Sequence, residues 1–181
     1  MHFGTPSKEE KDSFTRVLKG HINLDLMWFP VGTTGYQIDV VARASLWRAG
    51  LEYRHGTGHG VGSHLNVHEG PQGIGYRPAF NLSPLSAGMT ITNEPGYYKE
   101  NAYGIRIENI MLVVPAAPGF NKFEHVTFVP IQTKLMDFAL MNGEEIAWVN
   151  QYHVDCRRHI APLLSGEPLA LKWLLRETEL I

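Results

Sequence analysis

At 181 residues, with 44% apolar and 19% charged side chains and a formal net charge of -2, the chain can bury one core. It has no basic field of the strength that a dedicated nucleic-acid or membrane-surface binder needs. One cysteine, Cys156, excludes an internal disulfide framework and suits a reducing compartment. No run approaches the ~18 apolar residues of a membrane span. Residues 1–10 lack the apolar stretch of a secretion signal, so a soluble, cytoplasmic protein is expected.

In chain order, Met1 to Thr5 reads as the tail of a strand. Ser7-Lys-Glu-Glu10 fits a capping box, and Phe14, Val17, Leu18, His21 and Ile22 recur at helical spacing, predicting a helix from about Lys8 to Trp28 that Pro30 and Gly32 stop. A second helix is predicted from near Gly35, through Ile38, Val41, Ala42 and Leu46, to Trp47, with Gly50 closing it. The two are expected to be antiparallel neighbours covering a sheet. From Tyr53 to about Ile131 the texture turns to glycine, proline and β-formers. Met89-Thr-Ile-Thr alternates, Ile105 to Val114 begins with alternation and ends as a buried run, and Val126-Thr-Phe-Val-Pro-Ile reads as a further strand. Pro71 to Leu85 reads as a loop. Helices return at about Glu144 to Leu164, after Asn142-Gly-Glu-Glu145, and at about Glu167 to Arg176. The order is α+β.

The chemistry concentrates in His55-Gly-Thr-Gly-His59-Gly-Val-Gly-Ser-His64-Leu-Asn-Val-His68-Glu-Gly-Pro71, which holds four of the nine histidines. Imidazole is the commonest protein metal ligand, and glycine lets backbone pass close to another group. The glycines at 56 and 58 argue against a helix there, so the pair His55 and His59 is not a helical zinc motif. His68 ends an apolar, strand-like run and is a candidate acid, base or carbonyl partner. Two framed carboxylates follow. Glu94 precedes Pro-Gly, a turn that would aim it; Glu108 alternates with Ile105 and Ile107, and burial there would call for a metal or a cation. For each, an exposed surface Glu is the plain alternative, and a lone histidine is more often structural. The cluster is what favours a metal site. His2, His21, His125, His153 and His159 lack such company.

Together, His55-Gly-Thr-Gly-His-Gly-Val-Gly, Asn66-Val-His-Glu-Gly-Pro71, Thr92-Asn-Glu-Pro-Gly-Tyr-Tyr98 and Gly104-Ile-Arg-Ile-Glu-Asn109 strongly resemble aminopeptidase P, the Xaa-Pro aminopeptidase family of the pita-bread metallopeptidases, related to prolidase and methionine aminopeptidase. The resemblance covers nearly the whole chain, including Met1-His-Phe-Gly, Val129-Pro-Ile-Gln-Thr-Lys134 and Trp173-Leu-Leu-Arg-Glu-Thr178, and is to the cytosolic eukaryotic form. It implies a partial pita-bread (creatinase/aminopeptidase) fold, a curved antiparallel sheet flanked by helices. Residues 1–131 would be the catalytic domain without its N-terminal hairpin, and residues 132–181 its C-terminal helical extension.

By that resemblance His59, Glu94 and Glu108 match metal ligands, with Glu108 bridging two ions, manganese or zinc, whose shared water attacks the scissile bond. Glu94 would also take the proton from that water. His68 would hold the substrate carbonyl or pass a proton to the leaving imino nitrogen. His55, Tyr98 and Arg106 would line the pocket for the proline ring or brace the site. The implied substrates are peptides with proline in second position, and the implied assembly is a homodimer.

Two departures, His64 for a large apolar residue and Asn93 for a frequent Asp, leave the matched ligands untouched. A third is serious. The family needs two further aspartates spaced Asp-x10-Asp, on a hairpin before the His-Phe-Gly strand. The aspartates here are Asp12, Asp25, Asp39, Asp137 and Asp155, no two of them eleven apart. The expectation is therefore at most one ion, little or no activity in this chain alone, and an Asp-x10-Asp hairpin encoded immediately before Met1. A non-catalytic binding or dimerisation module built on the same fold is the alternative. A weaker one takes His59, His68 and a Glu as a facial-triad iron site. Two ions would favour the peptidase, none the module, and one redox-active iron the oxygenase.

Overall fold

The computed structural model describes residues 1–64 and 66–181; Leu65, inside the His-Gly motif and the run before His68, lies outside the described residues. In chain order the elements are α1 (Lys8–Asp25), β1 (Trp28–Pro30), α2 (Gly35–Trp47), β2 (Gly58–His59), β3 (Gly73–Ile74), β4 (Thr90–Asn93), β5 (Gly96–Lys99), β6 (Tyr103–Arg106), β7 (Asn109–Ala117), β8 (Phe120–His125), α3 (Gly143–Ile160) and α4 (Pro168–Glu177). They fall into two compact units, residues Arg16–Thr127 and residues Met1–Thr15 with Phe128–Ile181.

The larger unit is built on an antiparallel sheet in the order β1-β8-β7-β4, with the short pairs β2-β3 and β5-β6 beside it. β7 alternates as a half-buried strand should: Met111 and Val113 are buried, and Leu112 and Val114 are partly covered. Ile91 of β4, Phe29 of β1 and Phe123 of β8 join them, the two phenyl rings 4.9 Å apart, and Leu24, Ile38, Ala42 and Ile74 complete the core. Each of the larger of these side chains contributes about 1.5–3 kcal/mol when fully removed from water. α1 and α2 touch where Gly20 meets Ala42: a Cβ on Gly20 would collide with the Ala42 carbonyl.

In the smaller unit the Ser7 capping box forms, the Ser7 amide donating to Glu10 Oε2 (2.7 Å) and the Glu10 amide to Ser7 Oγ (3.2 Å). Asn142 and Glu145 cap α3 reciprocally in the same way, at 2.9 Å each. Trp148, Val149, Tyr152 and Cys156 form the buried stripe of α3. Burial pushes the Cys156 thiol up to about 12, so it is an inert core side chain.

Several expectations need correction. α1 ends at Asp25, and Trp28 to Pro30 form an edge strand paired with β8. Residues 1–7 form no strand. The strand placed at Val126 to Ile131 is instead β8, six residues earlier in the chain; its ladder ends when the Val126 amide reaches Ile110 O (2.9 Å), one residue short of the start of β7. The loop from Pro71 to Leu85 contains β3, which pairs with His59 and Gly58. The third helix stops at Ile160 and residues 161–164 wind as a 3₁₀ turn around Pro162. Residues 66–68 are not strand-like: all three are exposed, and 67 and 68 form a bend.

Candidate metal centre

Glu94 and Glu108 sit at one break in one long hairpin. β4 pairs with β7 as far as Asn93↔Asn109, and β5 pairs with β6 from Gly96↔Arg106, so Glu94-Pro95 on one arm and Ile107-Glu108 on the other lie unpaired between two ladders. Proline explains the break: the Ile107 amide donates to Pro95 O (3.3 Å), but Pro95 has no N–H to return. The continuous strand expected through residues 105–114 is therefore interrupted at Glu108.

His59 reaches the same place from the glycine-rich stretch. Gly58 and Gly60 flank it for a steric reason: a Cβ on Gly58 would strike Thr92 O, and one on Gly60 would strike Glu69 O. The backbone of the imidazole-bearing strand thus lies directly against β4. Thr92 Oγ1 accepts from the His59 amide (2.9 Å) and donates to Glu94 Oε1 (3.2 Å), tying one ligand candidate to the other. Sequence reasoning passed over Thr92; its place two residues before Glu94 on an alternating strand was the available signal.

One atom each from His59, Glu94 and Glu108 lies within 4.8 Å of the other two, and His59 Nε2 stands 3.2 Å from Glu94 Oε1. His59 Nδ1 lies 3.0 Å from Gly60 O, so the ring proton is assigned to Nδ1 and the Nε2 lone pair faces the acids. The Glu94 carboxyl is pushed above the usual range, first by burial and then by the charge of Glu108, and Arg106 and the Thr92 hydroxyl only partly oppose this. Arg106 Nη1 is 3.6 Å from Glu94 Oε2. Two acids held together against their own repulsion, with an imidazole lone pair aimed between them, are a donor set that fits a divalent cation.

The other candidates assemble around this cluster. His55 Nε2 accepts from the Tyr98 hydroxyl (3.0 Å), which accepts in turn from Arg106 Nε (2.9 Å). His55 Nδ1 faces Gly56 O at 2.7 Å, and burial, more than any neighbouring charge, pushes this imidazole down toward the neutral form. The His68 ring, on its exposed bend, packs 4.2 Å from that of His59. A cleft of about 700 Å³ opens on the imidazole side, with His55, His59, His68, Tyr76 and Phe80 among its walls. His64 is exposed and takes no part.

The sequence model of Metallopeptidase family M24 matches residues 1–115, and that of the C-terminal region of peptidase M24 matches residues 119–181. The chain belongs to metallopeptidase family M24. It is 58% identical to a probable Xaa-Pro aminopeptidase P of Coprinopsis cinerea over 98% of its own length and 30% of the relative's. To a Xaa-Pro aminopeptidase 1 of Dictyostelium discoideum it is 48% identical, over 96% of the chain and 29% of that protein. The crystal structure of the X-prolyl aminopeptidase of Caenorhabditis elegans, described as a cytosolic enzyme with a di-nuclear active site, superposes with a TM-score of 0.95 at 45% identity, covering 100% of this chain and 30% of that one. Prolidase from Pyrococcus furiosus gives 0.62 at 28% identity over 72% of this chain and 36% of its own. The fold is thus the pita-bread α+β fold in part, and the chain spans about 30% of the length of the curated relatives it matches.

Proposed function

We propose that this chain is part of the catalytic domain of an Xaa-Pro aminopeptidase, which hydrolyses the bond between an N-terminal residue and a following proline. The observation that carries this reading is the convergence of His59, Glu94 and Glu108 within 4.8 Å. These three would hold a divalent cation, and the hard carboxylates favour manganese over zinc. When bound, such a cation supplies Lewis acidity toward a scissile carbonyl. Glu94, with its raised affinity for a proton, takes one from the attacking water. His68 holds the carbonyl oxygen or donates to the departing imino nitrogen. His55, Tyr98 and Arg106, already hydrogen-bonded in series, form a wall for the proline ring.

No pair of aspartates in the chain has the spacing the family resemblance calls for, so this chain alone holds one ion and turns over little or no substrate. Titration with Mn²⁺ should give one bound ion, lost in His59→Ala, and an Xaa-Pro-Xaa peptide should be cleaved barely or not at all. Absence of Mn²⁺ binding would overturn the metal site; robust turnover would overturn the single-ion reading. A cytosolic location follows from likeness to the C. elegans enzyme. A homodimer is the assembly favoured by the apolar surface of the smaller unit, where Leu163 is 77% and Leu169 83% exposed. Sedimentation of the chain at micromolar concentration checks it.

A further inference from the structure

The stretch from Leu51 to Thr57 has no strand of its own, yet it delivers His55 and His59. Backbone bonds fasten its two ends, the Leu51 amide to Leu46 O (3.0 Å) and the Thr57 amide to Ile74 O (2.8 Å), and between them a buried ionic network on α2 holds it. Arg43, 1% exposed, donates through Nε to Asp39 Oδ2 (2.6 Å) and through Nη2 to Asp39 Oδ1 (3.1 Å). The same guanidinium donates from Nη1 to Glu52 Oε1 (2.8 Å) and Tyr53 O (2.7 Å), and from Nη2 to His55 O (2.7 Å). Its carbon lies 3.9 Å from the Tyr53 ring centroid. Asp39 Oδ1 also accepts from Thr57 Oγ1 (2.5 Å), whose other neighbour is the Tyr53 hydroxyl at 2.6 Å. Residues 53, 55 and 57 are therefore each fastened to the one buried pair.

Thr57 extends the connection to the acids. Its hydroxyl is held by Asp39, and its carbonyl accepts from the Glu94 amide (2.7 Å). A shift of Thr57 moves the backbone before His59 and that of Glu94 together. Desolvating an Arg–Asp pair is costly, and well-packed apolar residues often serve a core equally well. An apolar pair could not direct the carbonyls of residues 53 and 55 and the hydroxyl of residue 57. The planar guanidinium fork, with five donors at fixed angles, directs the two carbonyls, and the Asp39 carboxylate directs the hydroxyl.

We propose that Arg43, Asp39 and Thr57 are positioning residues that set the path of the His55–His59 segment and its distance from Glu94. The inference rests on the reading of His59 and Glu94 as ligands. It is tested on the full 181-residue chain by two readouts, Mn²⁺ affinity from the free-ion EPR signal and the ring-nitrogen NMR shifts of His55 and His59 without metal. Thr57→Val removes one hydroxyl and leaves the Arg43–Asp39 pair intact; Arg43→Lys removes the fork and keeps the charge. Circular dichroism should be unchanged for Thr57→Val, with Mn²⁺ affinity about 10-fold weaker and both histidine signals shifted. Thr57→Ser should restore both readouts.

If the parent chain binds Mn²⁺, His59→Ala does not, and both Thr57→Val and Arg43→Lys bind as the parent does, the positioning role is wrong. If the parent chain fails to bind Mn²⁺, the metal-site reading fails, and the metal-free histidine shifts alone decide the positioning role: unmoved signals in both variants overturn it. Should Arg43→Lys not fold, Thr57→Val and its serine rescue carry the decision.

Discussion

The ligand candidates come from two kinds of scaffold. Glu94 and Glu108 project from a break between two backbone ladders, so ordinary strand pairing holds them on both sides. His59 comes from a two-residue strand preceded by irregular chain; its pairing with β3 is short, and side chains supply the rest of the hold, with Arg43, Asp39 and Thr57 fixing the preceding segment and Thr92 accepting from its amide. A ladder fixes direction through many equivalent bonds, none of which is decisive. A side-chain network fixes it through a few bonds, each of which matters. The carboxylate arm should therefore tolerate conservative changes away from the acids, and the imidazole arm should not.

The largest expected effect is loss of a ligand itself. Glu94→Gln keeps the shape and the strand pairing, and should weaken Mn²⁺ binding by about two to three orders of magnitude, read by isothermal titration. If affinity survives, the ladder arm carries no ligand and the contrast between the scaffolds loses its purpose.

Next in size is a pH effect behind the carboxylate arm. Asn93 Nδ2 donates to His21 O (2.9 Å), and His21 is fully buried, which pushes its imidazole down to about 4 despite the nearby Asp25. In the unfolded chain this ring takes up a proton near its ordinary value of about 6.5, while the folded chain does so only near 4. Its contribution is thus complete above pH 6.5 and falls away as the pH drops toward 4, by about 3 kcal/mol in all. Urea unfolding of the chain and of His21→Gln between pH 7 and 4 measures this: the variant's curve should be flatter. Equal slopes would show that the ladder arm is not proton-sensitive.

Gly58→Ala strikes the two arms where they touch, against the Thr92 carbonyl. It should cost about 2 kcal/mol of stability, measured by the urea midpoint, with Mn²⁺ binding impaired in the remaining folded protein. Smallest is Tyr53→Phe, which removes the hydroxyl facing Thr57 and should cost about 1 kcal/mol. A larger drop in Mn²⁺ affinity than in stability would strengthen the claim that the imidazole arm is held by individual bonds.

Much of this was readable along the chain. The capping boxes at Ser7 and Asn142 and the positive φ of Gly50 after α2 are local matters, decided within a few residues by which orphan amides a nearby side chain can satisfy. The glycines around His59 announced a close approach of backbone to something, whereas the turn expected at Pro95-Gly96 is a short gap between two strands, with Gly96 already paired in β5. The expected strand at Val126 to Ile131 failed because β-forming residues state a preference and not a partner: β7 starts at Asn109, and its ladder with β8 runs out at Ile110. Trp28 joined a strand for the converse reason, since β8 offered it an edge.

Residue order alone established the α2, α3 and α4 helices, the family membership that the His-Gly, Glu-Pro-Gly and Arg-Ile-Glu motifs announce, and which side chains are able to bind a cation, because these depend on neighbours in the chain or on side-chain type. Whether His59, Glu94 and Glu108 meet, that Glu108 stands at a break instead of within a strand, and that an Arg43–Asp39 pair buried on α2 governs the histidine segment were decided in three dimensions. The i, i+4 spacing of Asp39 and Arg43 is compatible with an ion pair, but nothing in it points to the carbonyls of Tyr53 and His55. Such contacts join residues that are close only after the sheet has formed, and a buried charge takes its role from whatever folding brings within hydrogen-bond reach.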